Sequence, residues 1–127
     1  MYAHFTIKGR LAGINEMKDA DRGHWSKGAR LRKDDLERCK WEIGVQNISQ
    51  KVRFTDPVGV SFVWIEPNAK RDLDNIIGGQ KVILDALVLC GVIPNDTRKW
   101  VKSLSHTFPE PDKKYPHIDV FISEFKP

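Results

Sequence analysis

Residues 70 to 75 read K-R-D-L-D-N and set two carboxylates, Asp72 and Asp74, behind two cations, Lys70 and Arg71. On a strand, or in the extended turn after one, residues i and i+2 point the same way, so both acids can be presented to one point. Converging carboxylates repel unless a cation or a shared proton lies between them. Asp96, in the later P-N-D turn, is a third acid that a short connection can return to the end of a neighbouring strand. Three acids from two loops make a hard, oxygen-rich site suited to magnesium, with manganese as a substitute. On a continuous helix Lys81 follows Asp74 by about two turns and shares its face, where an ammonium would neutralise charge building on a phosphoryl group.

Each element has a plainer reading. An Asp-x-Asp pair is usually a turn or a helix cap, an aspartate after Pro-Asn is usually a turn residue, and exposed lysines are mostly solvated. A calcium loop begun at Asp72 fails, because Ile76, Ile77 and Ile83 stand where its ligand, glycine and bidentate glutamate belong. His4, His24, His106 and His117 form no i, i+4 pair and no HExxH, so they receive no metal role. Cys39 and Cys90 lack zinc-site spacing and read as two reduced core thiols. Trp64 reads as core, and core packing also suits Trp41 and Trp100.

The elements that must position the acids follow from periodicity. The chain of 127 residues is one domain's worth. Residues 2–9 alternate apolar and polar, which predicts a strand. Residues 10–26 show no sustained apolar period and read as a loop with one short helical turn. From Lys27 to about Ser49, Leu36, Cys39 and Ile43 recur at helical spacing among charges, predicting an amphipathic helix. "VGVSFVWI" (58–65) is apolar at nearly every position and predicts a central strand buried on both faces. An apolar stripe predicts a second helix from about Asn75 to Cys90 with Gly91 after its end; Gly78 and Gly79 are awkward inside it unless the regular helix begins near Gln80 or backbone approaches something closely. Residues 99–108 and 116–125 complete the pattern as two strands. The expected fold is a small single α/β domain, with a mixed sheet of about four strands and two main helices.

Composition narrows the partners. With 40% hydrophobic and 30% charged residues and no long apolar run, the chain reads as soluble, with no membrane partner. Its first residues lack the features of a secretion signal, so the expected location is the cytoplasm. A net charge of +4 and a pI near 9.1 favour a polyanionic partner.

The run "KRDLDNIIGGQKVILDALVLCGVIPNDTRKW" resembles the RusA family of Holliday junction resolvases, endodeoxyribonucleases common in prophages. R-D-x-D-N, a following lysine, D-A-L, G-V and an N-D turn occur in order over residues 70–100. The resemblance implies a RusA-like fold over the whole chain, with Asp72, Asp74 and Asp96 holding magnesium at the cleavage site and Lys81 as the catalytic lysine. It also implies DNA contacts by Arg71 together with Lys70, Arg98 and Lys99, a four-way junction as substrate in recombination and repair, and a homodimer. Asn75 and Asp85 belong to the same motif and read as organisers of the helix. The compact form of the family has fewer residues between the second aspartate and the lysine, and counting back from D-A-L restores the register at Lys81. Two other classes remain open: a DNA-binding module without catalysis, and a metal-dependent nuclease or phosphatase on other substrates.

Overall fold

The computed structural model describes residues 1–23 and 25–126. The chain runs β1 (Tyr2–Lys8), α1 (Ile14–Gly23), α2 (Trp25–Gln50), β2 (Val58–Ile65), α3 (Leu73–Ile76), a 3-10 turn (Ile77–Gly79), α4 (Gln80–Leu89), β3 (Val101–Thr107) and β4 (His117–Glu124). It is the expected small single α/β domain. The four strands form one mixed sheet in the order β1-β4-β2-β3, with β4 antiparallel to both neighbours and β2 parallel to β3.

Alternation along the strands decides which face is covered. In register, Ala3, Phe5 and Ile7 of β1 lie beside Ile122, Val120 and Ile118 of β4, and these beside Val60, Phe62 and Trp64 of β2. All are buried and join Cys39 and Ile43 of α2 and Ile83, Ala86 and Leu87 of α4 in one core. β2 is central as expected but buried on one face only: Gly59, Val63 and Ile65 are half-buried and Ser61 is exposed. Its apolar run therefore reflects β-propensity on the open face as well as core packing on the other. Burial pushes the Cys39 thiol up to about 12, as expected of an inert core thiol.

The segment read as a loop contains a helix. α1 buries none of its residues fully, so its sequence carries too weak an apolar period to announce it. Its start is nevertheless built: the Gly13 carbonyl takes the Met17 N–H at 3.1 Å, and the Glu16 carboxylate reaches back to the Gly13 N–H at 3.0 Å, half of a capping box.

The helix expected over residues 75–90 is broken into α3, a 3-10 turn and α4. The turn packs on the start of α1, where a Cβ on Gly78 would stand 2.7 Å from the Ile14 backbone nitrogen and one on Gly13 would stand 2.5 Å from the Asn75 carbonyl. Backbone meets backbone here, and neither residue tolerates a side chain. Gly78→Ala is expected to lower stability by about 1–3 kcal/mol, read as a fall in the urea midpoint at unchanged slope. At the other end Gly91 (φ 75°) closes α4 as expected, with Val92 N–H on the Leu87 carbonyl and Gly91 N–H on that of Val88.

The β1 edge is covered by α2. Gln46 and Gln50 each accept from and donate to the backbone of Thr6 and His4, and Glu42 accepts the Lys8 N–H at 2.9 Å. Four helical residues advance about 6 Å and two strand residues about 6.8 Å, so side chains at i, i+4 and i+8 follow every second strand residue. The ladder closes the edge to further pairing. Among the described residues no helix is long and apolar enough to cross a membrane.

Candidate functional site

The parallel pair β2 and β3 is joined through α3 and α4, and the K-R-D-L-D-N segment leaves the carboxyl end of β2. Open α/β sheets bind ligands outside such strand ends. Glu66, directly after β2, is buried and holds Arg71 through two parallel bonds, Nε to Oε1 and Nη2 to Oε2, both 2.8 Å. The remaining Arg71 nitrogen, Nη1, donates to the Leu11 carbonyl at 3.0 Å and to the Glu16 carboxylate. Asn75 completes the set: its Nδ2 donates to Glu16 at 2.9 Å and its Oδ1 accepts the Asn15 N–H at 2.8 Å.

These bonds give Arg71 and Asn75 structural roles. Arg71 is 9% exposed and four of its five guanidinium N–H donors bond inside the protein, the arrangement of a positioning residue. Burial lowers its pKa, but the bonds to Glu66 and Glu16 outweigh that and leave it raised. Asn75 organises the helix start, as its place in the motif implied. Glu16 and Glu66 had no assigned role in the sequence reading, although G-I-N-E had the spacing of a capping pattern.

Burial also pushes the Glu16 carboxyl up, yet the bonds from Asn75, the Gly13 N–H and Arg71 hold it down at about 2, against 4.5 ordinarily. A depressed carboxyl stabilises the fold fully above its unfolded value, and that stability drains as pH falls from about 4.5 through about 2. The side chain is 39% exposed, so after solvent screening the contribution at neutral pH is about 1–2 kcal/mol. In urea titrations Glu16→Gln should be weaker than wild type by that amount near neutral pH, and the gap should narrow as pH drops below about 4.5.

The arginine and asparagine are turned inward, while the two acids between them face solvent. Asp72 is extended (φ −68°, ψ 153°) and precedes α3, whereas Leu73 and Asp74 belong to the helix. The pair thus straddles a helix start and is not aligned by a strand pleat, as the sequence suggested. Neither acid has a cation within 4.0 Å among the described residues; Asp74 Oδ1 takes only the Asn75 N–H, at 3.0 Å.

Lys81 and Asp96 do meet, with Asp85 as a third member. The Lys81 ammonium lies 2.9 Å from Asp85 and 3.0 Å from Asp96, and these bonds, Asp85 first, raise its pKa. Lys81 is 70% exposed at this position. Among the described residues no three His, Cys, Asp or Glu side chains converge as around a metal ion, so Asp72, Asp74 and Asp96 are not gathered into one cage. Magnesium does not require one, because it is commonly held by one or two carboxylates, waters and the substrate's own phosphate. Asp72 and Asp74 fit that kind of site, being exposed oxygen donors with no cation within 4.0 Å among the described residues.

Lys70, Arg98 and Lys99 are exposed, and Lys99 sits over the Trp100 ring at 5.2 Å. Trp64 is core as expected, its indole N–H bonded to His106 Nδ1 at 3.0 Å, whereas Trp41 is 69% exposed and not part of the core. Between the ends of β2 and β3 lies a cleft of about 250 Å³ whose lining includes Trp64, Leu73 and Phe108. No family model and no curated protein matches the chain.

Proposed function

We propose that this protein is a magnesium-dependent endodeoxyribonuclease that resolves four-way DNA junctions by paired nicks during recombination and repair, in the manner of the RusA family. The observation that carries the reading is the division of labour within R-D-x-D-N. Arg71 and Asn75 are locked into one network through Glu16, and the two acids they flank are left exposed, with no cation within 4.0 Å among the described residues. Two exposed carboxylates on backbone held by that network are oxygen donors that a hard divalent cation can use.

Asp72 and Asp74 would hold magnesium, with manganese as a substitute. When bound, the metal supplies an activated water and stabilises charge on the scissile phosphate. Arg71, Glu66, Glu16 and Asn75 fix the backbone on which the acids stand. Lys81 faces solvent and can exchange a carboxylate for a DNA phosphate, which would also release Asp96. Lys70, Arg98 and Lys99 draw in the backbone of the arms. Two nicks in strands of like polarity ask for a two-fold pair of sites. A homodimer is supported by the exposed apolar stripe Trp41, Val45 and Ile48 on α2. The location that goes with this proposal is the cytoplasm.

Competition between a four-way junction and a plain duplex of equal length tests the substrate. A resolvase cuts the junction in preference; equal cleavage of both makes the protein a general metal nuclease.

A further inference from the structure

The end of β1 carries three cations to the edge of the sheet that the acids follow. In register, Lys8 lies beside His117 of β4 and His117 beside Ile65 of β2, so β1 and β2 finish at the same end. Two strand spacings, about 9–10 Å, separate β1 there from β2, which leads into Glu66 and the K-R-D-L-D-N run. Gly9 (φ 74°) turns the chain, and the Arg38 guanidinium fills the turn. Its Nη1 donates to the Lys8 carbonyl at 2.9 Å and its Nη2 to the Arg10 carbonyl at 2.6 Å. The backbone on either side is held as well: the Gly9 N–H by the Pro116 carbonyl at 2.8 Å, the Leu11 carbonyl by Arg71, and the Ala12 N–H by Asp35 at 2.9 Å.

Charge at this end is sorted by depth. Asp35, Glu42 and Glu66 are buried, and each accepts from inside the protein: Asp35 from the Ala12 N–H, Glu42 from the Lys8 N–H and Glu66 from Arg71. The cations lie outermost. Lys8 is exposed with no carboxylate within 4.0 Å among the described residues, the Arg10 side chain is 45% exposed, and that of Arg38, 3.7 Å from Asp35, is 37% exposed. Arg10 comes no nearer to a carboxylate than 3.6 Å, from Glu66, whose two oxygens are already taken by Arg71 at 2.8 Å. That separation exceeds a hydrogen bond, so the guanidinium donors of Arg10 have no acceptor among the described residues. A cationic surface whose counter-charges are buried and committed inward complements an oxyanion brought from outside.

We infer that Arg10, flanked by Lys8 and Arg38, holds a phosphate of the DNA strand that passes Asp72 and Asp74, an inference that rests on the proposed nuclease reading. Arg10 stands against the carboxylate that holds Arg71, the residue before Asp72, so the cation and the acids share one rigid base. A guanidinium meets a phosphate through two parallel bonds, and in turning from Glu66 to do so Arg10 gives up no hydrogen bond. Such a contact reads no sequence. It sets the register of the strand, and thereby which phosphate reaches the acids.

Binding of a four-way junction by the full-length protein in chelator, followed across salt concentrations, tests this without cleavage. Arg10→Gln should bind about tenfold more weakly, with a slope of log affinity on log salt shallower by about 0.9, the change for one lost phosphate contact. Arg10→Lys should keep most of the slope, and both variants should melt within about 2 °C of wild type. Lys102→Gln removes the same charge at the amino end of β3, the opposite end of the sheet, and should change neither quantity appreciably. Neutral methylphosphonate linkages placed singly around the branch locate the contact: wild type should weaken about tenfold at one linkage beside the mapped nick, and Arg10→Gln should lose nothing further there. An unchanged slope in Arg10→Gln, a loss no greater than that of Lys102→Gln, or linkage and variant losses that multiply would overturn the phosphate site and leave the nuclease standing. A linkage effect shared with Arg10 but no cleavage of any junction in magnesium would overturn the nuclease and, with it, the placement beside the acids.

Discussion

Asp72→Asn should bind a four-way junction as wild type does and cut it more than about 100-fold more slowly, a larger loss than outer partners of a metal site usually produce. The amide keeps the shape of the carboxylate but is a poor ligand for a hard divalent cation. Nothing in the fold depends on the charge: Asp72 is exposed, makes no side-chain cap bond and has no ion-pair partner among the described residues. Asparagine also serves as well as aspartate before a helix, so stability should stay within about 0.5 kcal/mol. Electrophoretic mobility in chelator and single-turnover cleavage in magnesium separate the two quantities. Unchanged cleavage would remove Asp72 from the chemistry and favour a binding module whose acids are turn residues.

Arg71→Ala should have the largest effect on stability, about 3–5 kcal/mol. The substitution leaves the Glu66 carboxylate, 8% exposed, without its two charge-assisted bonds, and takes a donor from Glu16 and from the Leu11 carbonyl. For a domain of this size the loss corresponds to a fall of about 10–20 °C in Tm. Lysine should not rescue it, because a point-like ammonium cannot span both Glu66 oxygens as the planar fork does. Replacing Arg71 and Glu66 together by methionine should recover much of the loss, since no buried charge is then stranded. If Arg71 were instead a free DNA contact, alanine would weaken junction binding and leave the Tm within about 2 °C of wild type.

β1 and β4 were legible from their apolar alternation, β2 from its run of β-branched and aromatic residues, and α2 because Leu36, Cys39 and Ile43 mark one face. α1 was not, because its helicity comes from packing on α2 and from the Glu16 cap, both nonlocal or short signals. The break at Gly78 was half visible: two glycines were out of place in a helix, but the backbone of residues 13 and 14 that needs the space is distant in sequence. At the site, the motif pointed to Asp72 and Asp74 but assigned Arg71 outward. Charge alone does not say which way a guanidinium faces, and its direction was fixed by Glu66 and by Glu16, which is 55 residues away in the chain. The pairing of Lys81 with Asp96 likewise depends on where the turn after α4 returns.

The most direct test of the proposed activity is cleavage of a mobile four-way junction by the purified wild-type protein, in magnesium and in chelator, with products mapped on both pairs of strands. Paired symmetric nicks in strands of like polarity that require magnesium are the expected result. Tight binding without a cut under magnesium or manganese would contradict it.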